Sequence, residues 1–526
     1  MAKPVFPKIT YVTLFADESI HPKYEAALKK FEKELGRRYP MFIGGEEVWS
    51  DSGEFENHSP IDTSITVGRF QVGTQDHAKH AIASAKEAFP QWSQRAWQER
   101  VSILNKAADL IDDRKFDIAV AITYEVGKNR LEALAECWEA IDAIKFYSKI
   151  IEEKSGYVQK MEDGGPGEDC KVVSKPFGVW PIISPFNFPF MLANGMALGA
   201  LLTGNTVILK PTSEAPLTGL MLYNVFKDAG VPEGAINYVT GPGPNFEAEF
   251  VSNKDVAGIA FTGSREVGMR LYREFLTQQP YPKPMVLEMG SKNPVVITAS
   301  ADIYRAVEGT ARSAFGYSGQ KCSAASRIYV HSKVRDEFLE ALRIRTEKIV
   351  VGDPREKRVF LGPVINKTAV EKFTVALDEA KKAGGKVLTG GKVLVECKFK
   401  NGFYLTPTII IGMPQTHRLF KDELFVPLIV VDEFKTLDEA IAKVNDTEYG
   451  LTAGIFSEDP KEVQDFMNQV QFGVLYANRS GGATTGAWPG AQSFTGWNAS
   501  GATGRGVGGQ HYLLNFLRDQ SHTIVS

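Results

Sequence analysis

Apolar and polar positions follow two rhythms along this chain. Over roughly the first 150 residues the spacing is helical. Residues 22–35 (PKYEAALKKFEKEL) carry apolar positions every three or four residues amid Lys and Glu, which predicts an extra helix or arm packed on the main body. Residues 77–112 and 114–150 predict two long amphipathic helices. From Lys171 the rhythm changes to short apolar runs bounded by Gly, Pro, Asn or Ser: VWPIIS (179–184), NTVILK (205–210), AINYVTG (235–241) and AGIAFTG (257–263). Helical stretches at 217–229 and 265–277 separate them. Such alternation predicts right-handed crossovers and a parallel sheet, with ligands at the carboxyl ends of its strands.

A second alternating block starts near Met285. PMVLEMG, NPVVITAS, SRIYVHS, FVPLIVVDEF, TAGIFS and GVLYAN read as strands, with helices at 301–315, 332–348, 367–383 and 437–445. Two α/β blocks predict two lobes, and a cleft between lobes is a favoured binding site. The chain from Ser480 is rich in Gly, Ala, Thr and Trp and ends in a strand or helix, YLLNFLRDQSHTIVS.

Composition narrows the classes. At 526 residues, two or three domains of about 100–200 residues are expected. Hydrophobic residues make up 43% and charged residues 23%, ordinary globular usage. With 60 basic and 63 acidic residues the net charge is −3, which leaves no footprint for nucleic acid or an anionic membrane. Residues 188–202 are the most apolar stretch, but Asn194 and several glycines interrupt them. A spanning helix needs about 20 apolar residues, so this run predicts a buried helix. The N-terminus lacks a signal-peptide pattern, and a cytoplasmic location is expected. Four cysteines (Cys137, Cys170, Cys322, Cys397), with no CxxC pair, make neither a disulfide framework nor a metal site.

Four segments carry candidate chemistry. In GYSGQKCSAASR (316–327), Cys322 stands between a helix and a strand among small residues. Small neighbours let a carbonyl approach and let backbone N–H groups face it, as a nucleophilic thiol requires. A lone Cys is more often a buried structural residue. In PFNFPF (185–190), Asn187 could donate its amide to an oxyanion or serve only the turn. In LEMGSKNP (287–294), Glu288 closes a strand, either as a general base or as a solvent-facing charge. In AFTGSREVG (260–268), the helix start at Ser264 suits a phosphate, or is an ordinary cap made by Ser264 or Thr262.

Taken in chain order (Asn187, the FTGS turn, Glu288, Cys322) and at comparable spacing, the four segments resemble the aldehyde dehydrogenase superfamily from about Tyr39 to the C-terminus. VILKP (207–211), DELFVP (422–427), GPVIN (362–366), YLTPTI (404–409) and NDTEYGLTAGIFS (445–457) resemble further family segments. The likeness is strongest to the 1-pyrroline-5-carboxylate (glutamate-semialdehyde) dehydrogenase subgroup, through residues 124–147, GYSGQKCSAASR and the N-terminal arm. The resemblance implies an α/β fold: a Rossmann-type cofactor domain (1–155 and 176–288, with the N-terminal arm), an α/β catalytic domain (289–479), and a β oligomerisation arm with the C-terminal segment (156–175 and 480–526). It implies a homo-oligomer, completed by a hairpin near 156–175.

The same resemblance implies roles for residues. Cys322 would attack the aldehyde, Asn187 and the Cys322 N–H would hold the oxyanion, and Glu288 would activate the water that cleaves the thioester. NADP or NAD would lie along Ile183, Ser184, Pro185, Phe186, Lys210, Thr212, Ser213, Gly243, Phe261, Thr262, Gly263, Ser264, Val267, Met289, Gly290, Glu423 and Phe425. Phe188, Ser323, Gly486, Ala487 and Phe494 would hold the substrate, and no metal is implied. Several positions depart from the family pattern: Phe186 for Trp, Ser291 for Gly, Val426 for Gly, and Ser493 and Thr495 around Phe494. Ser213 stands where many NAD-preferring members carry Glu, which slightly favours NADP. Glutamate semialdehyde is the expected substrate, the alternatives being a broad-specificity aldehyde dehydrogenase and a non-catalytic homologue.

Overall fold

The computed structural model describes residues 18–481, 489–502 and 504–525. Two seven-stranded sheets organise it. The first runs in the order Met285–Glu288, Ile259–Thr262, Val179–Ile183, Thr206–Lys210, Ile236–Tyr238, Met41–Ile43, Glu46–Val48. Its first five strands are parallel; the two N-terminal strands join antiparallel at the edge. The second runs Lys386–Thr389, Thr408–Ile411, Leu428–Phe434, Ala325–His331, Asn293–Ile297, Thr452–Phe456, Val474–Ala477, parallel except at Lys386–Thr389. Strands buried on both faces explain the near-continuous apolar runs, for instance Thr206–Lys210 and Asn293–Ile297.

The helical N-terminal region departs from the sequence expectation. Three helices, Gln75–Gln94, Trp97–Val126 and Arg130–Glu153, replace the two expected over 77–112 and 114–150. Arg95 and Ala96 are extended, and Arg100 Nη1 takes the Arg95 carbonyl at 2.5 Å, removing it from helical use. Gly127 ends the second helix at φ 73°, a left-handed stop that glycine adopts without strain. Asn129 then caps the third helix, accepting from the Glu132 N–H at 3.0 Å.

Two glutamates from these helices cap distant ones. Glu125 accepts from the Leu217 and Thr218 N–H groups, both at 2.7 Å, at the start of Pro216–Ala229. Glu136 Oε1 accepts from the Phe190 and Met191 N–H groups at 2.8 and 3.0 Å, at the start of Met191–Leu202. Each satisfies donors that a helix start leaves open. The second cap fixes the turn that follows Asn187. The run expected to be a buried helix is one, its interior fully enclosed.

Val158–Lys160, Glu168–Pro176 and Leu517–Val525 make a three-stranded antiparallel sheet. The C-terminal run, ambiguous in sequence, is a 3-10 turn (Tyr512–Phe516) followed by this strand. Among the described residues, no helix is long and apolar enough to cross a membrane.

Candidate active site

A cleft of about 770 Å³ opens where the two sheets meet. Its rims are strand ends of opposite polarity. The carboxyl ends of the first sheet deliver Ile183 and the turn to Asn187, then Lys210, Thr262 and, at the end of Met285–Glu288, Glu288. The amino ends of the second deliver Cys322, ahead of Ala325–His331, and Glu423 and Phe425, ahead of Leu428–Phe434.

Most of the expected site residues meet here. Cys322 and Asn187 line the cleft with Ile183, Ser184, Pro185, Phe186, Lys210, Thr212, Phe261, Thr262, Gly263, Ser264, Met289, Gly290, Glu423 and Phe425. Glu288, Ser213, Gly243, Val267, Phe188, Ser323 and Phe494 stand off that wall. Glu288 is still near enough for its charge to act on the Cys322 thiol. Phe188, Ser323 and Phe494 are each less than 10% exposed, at 7%, 5% and 8%. Gly486 and Ala487 lie outside the described residues.

Burial sets the electrostatics. It pushes the Cys322 thiol up to about 12, and the Glu423 and Glu288 charges push the same way. The Cys322 and Ser323 N–H groups oppose this by favouring the thiolate. Glu288, half-buried and without a side-chain hydrogen bond among the described residues, is pushed up to about 8 by burial alone. Asn187 is 4% exposed, and its amide is free of partners among the described residues. A free amide, a cysteine on the cleft wall and a carboxyl poised near neutrality are what acyl transfer through a thioester needs.

The aldehyde dehydrogenase family pattern matches residues 48–521. The chain belongs to the aldehyde dehydrogenase family. The 1-pyrroline-5-carboxylate dehydrogenase of Geobacillus sp. (strain WCH70) is 35% identical over 517 residues, 98% of each chain. The 1-pyrroline-5-carboxylate dehydrogenase 1 of Halalkalibacterium halodurans is 37% identical over 516 residues, 97% of each. The crystal structure of the Thermus 1-pyrroline-5-carboxylate dehydrogenase with bound NAD superposes with a TM-score of 0.94 at 33% identity, covering 100% of both chains.

The cleft of this aldehyde dehydrogenase fits a dinucleotide on its own features. Ser264 caps the helix Arg265–Gln278 through the Val267 N–H, at 3.4 Å, and the positive end of that helix faces the cleft. Lys210 Nζ has one backbone acceptor, Pro211 O at 3.1 Å, and burial lowers the amine to about 8. The Ser184 hydroxyl is buried without a partner among the described residues. Phe186 and Phe425 meet edge to face at 5.8 Å and 78°, with Phe425 held at φ 63°.

Sequence reasoning missed Arg265, Glu266, Met269, Arg273, Lys372 and Tyr449 on the wall. Residues 265, 269 and 273 share one face of Arg265–Gln278, so helical periodicity could have found them. Lys372 and Tyr449 arrive from distant elements and carry no local signal. Also missed were two ion pairs, Lys128–Glu136 at 2.6 Å and Lys321–Glu132 at 2.7 Å, all four side chains 8% exposed or less. Lys128 Nζ lies 3.4 Å from the Phe188 ring centroid, so Phe188 sits on a buried cation.

Proposed function

We propose that the protein oxidises L-glutamate semialdehyde to glutamate, as in proline catabolism, through a thioester on Cys322. Cys322 and Asn187, far apart in sequence, line one cleft with Glu288 near enough to act on the Cys322 thiol, and this arrangement carries the reading. The substrate assignment rests on relatives of similar length at 35–37% identity.

In this mechanism the Cys322 thiol gives up its proton to water, the thiolate, favoured by the Cys322 and Ser323 N–H groups, attacks the aldehyde carbon, and the oxygen becomes an alkoxide. The Asn187 amide and the Cys322 N–H donate to it. NAD(P)+, when bound, would supply the hydride acceptor, and loss of hydride would leave the substrate as an acyl group on the Cys322 sulfur. Lys210, Glu423 and the helix start at Ser264 hold the dinucleotide. Glu288 takes a proton from water, hydroxide adds to the acyl carbon, and the carboxylic acid leaves as the sulfur regains its electron pair. The cofactor domain is assigned to 1–155 and 176–288 and the catalytic domain to 289–479. Ser323 and Phe188 shape the substrate end, with Gly486, Ala487 and Phe494.

NADP+ is accepted, and slightly favoured. The Glu214 carboxylate is engaged by Asn366 Nδ2 at 2.9 Å, and Ser213 Oγ donates to Gly241 O at 3.3 Å. No carboxylate is then committed to the adenosine ribose, and Lys210 is left to pair with a 2′-phosphate. The enzyme works as a cytoplasmic homo-oligomer. The exposed Val158, Met161, Ile524 and Val525, all on the arm and 45–70% exposed, support association through that sheet.

A panel of glutamate semialdehyde, propanal and benzaldehyde, each with NAD+ and NADP+, tests both assignments. High kcat/KM confined to the semialdehyde is expected. Comparable values for propanal or benzaldehyde would favour a broad-specificity enzyme, and kcat/KM with NAD+ at least tenfold above NADP+ would refute the cofactor preference.

A further inference from the structure

The turn that carries Cys322 is held from behind. Ser291 Oγ donates to the Cys322 carbonyl. Asn293 Nδ2 donates to the same oxygen at 2.7 Å and to the Ala324 carbonyl at 3.0 Å. Thr452 Oγ1 donates to the Ser323 carbonyl at 3.3 Å, and the Thr452 N–H fixes Asn293 through Oδ1 at 3.0 Å. Three successive carbonyls are thereby drawn into the body of the second sheet. The donors are rigidly seated: Ser291, Asn293 and Thr452 are 4%, 1% and 1% exposed.

Peptide planarity turns this clamp into a statement about the sulfur. In a trans peptide the carbonyl of one residue and the N–H of the next point in opposite directions. Holding the Cys322 carbonyl back therefore sends the Ser323 N–H forward, on the side of the thiol. The N–H groups of Cys322 and Ser323 are the two backbone donors that favour the Cys322 thiolate against burial.

Ser291 is also tied to the other rim. Its own N–H donates to Glu423 Oε1 at 2.7 Å. One residue thus spans from a carboxylate of the cofactor cleft to the peptide plane of the nucleophile. A glycine at this position could make the Glu423 contact but could not reach the Cys322 carbonyl.

We infer that Ser291 is a positioning residue for the nucleophile: its hydroxyl, with Asn293, fixes the 322–323 peptide plane so that the Ser323 N–H faces the Cys322 sulfur. This rests on the reading that Cys322 is the nucleophile. Ser291 touches neither substrate nor the reacting atoms; it acts through the peptide.

The test compares Ser291→Ala, Ser291→Gly and Ser291→Thr in the full chain. The pH dependence of Cys322 alkylation by iodoacetamide is read by mass spectrometry on the peptide carrying Cys322, because the thiolate is the reacting form. Loss of the hydroxyl in the Ala and Gly variants is expected to raise the apparent thiol pKa by about one unit, slowing alkylation at pH 8 roughly tenfold, as weaker hydrogen bonding to the charged form requires. kcat should fall in step, with KM for the cofactor within about twofold. Ser291→Thr, which keeps a hydroxyl, should return alkylation to within about threefold of wild type. A wild-type alkylation profile in Ser291→Ala and Ser291→Gly, or an equal loss in Ser291→Thr, overturns the inference. Cys322→Ala run in parallel separates the two readings. Turnover surviving in it sinks the nucleophile assignment itself; an inert Cys322→Ala beside an unchanged Ser291→Ala profile sinks only the role of Ser291.

Discussion

The two rims of the cleft are built on opposite principles. On the first sheet, polar groups are left available. Glu288 has no side-chain hydrogen bond among the described residues, the Ser184 hydroxyl is unpartnered, and Lys210 has a single backbone acceptor. On the second sheet the backbone around Cys322 is restrained at three consecutive carbonyls. Groups that must trade protons or receive a ligand need unspent hydrogen-bonding capacity. The group that must present one atom at a fixed point needs its backbone held. Glu125 sharpens the contrast: burial pushes it up to about 8 as well, yet it is saturated by donors from Leu217 and Thr218 and serves only to cap a helix. A raised carboxyl alone does not mark a catalytic base; a raised carboxyl with its lone pairs unclaimed at a strand end does.

Breaking the held rim has the largest effect. Cys322→Ala should leave no measurable dehydrogenase turnover, because no thioester can form; steady-state reduction of cofactor checks this. Removing the free carboxylate comes next. Glu288→Gln should slow steady-state turnover about 10²–10⁴-fold while sparing acylation, so stopped-flow absorbance should show a burst of reduced cofactor and then slow turnover. The pH profile has a definite sign. The carboxyl raised to about 8 must be ionised to take a proton from water, so wild-type deacylation should climb with pH up to about 8 and then level. In Glu288→Gln that limb should vanish; its persistence would reassign the base. Asn187→Ala removes one oxyanion donor and should lower kcat about 10²–10³-fold with the protein still folded. The smallest effect belongs to the exposed Cys397, whose change to Ser should leave kcat/KM at the wild-type value.

Much of this was legible along the chain. Five strands of each sheet fall within a few residues of their apolar runs, since β-rich segments buried on both faces advertise themselves; Met41–Ile43, Glu46–Val48, Lys386–Thr389 and Thr408–Ile411 were not among the expected strands. Cys322, Asn187 and Glu288 were candidates at strand ends and turns, each with an ordinary structural reading of its own, and only their order and spacing in the family resemblance singled them out. The break at Arg95–Ala96 was not, because it depends on Arg100 taking a carbonyl across the corner. The capping of Met191–Leu202 by Glu136 hid for the same reason: partners 54 residues apart leave no periodic mark. Ser291 stood out as a departure from the family pattern, yet its bond to the Cys322 carbonyl exists only once two strands lie side by side. Lys372 and Tyr449 on the cleft wall share that limit.

The central claim is a covalent bond between the substrate carbonyl carbon and the sulfur of Cys322. Mixing Glu288→Gln with aldehyde and oxidised cofactor, quenching in acid within the burst and mapping peptides by mass spectrometry tests it directly. The expected result is an acyl adduct on the peptide carrying Cys322, lost on treatment with hydroxylamine. A burst of reduced cofactor without that adduct, or an adduct on Cys137, Cys170 or Cys397 instead, would contradict it.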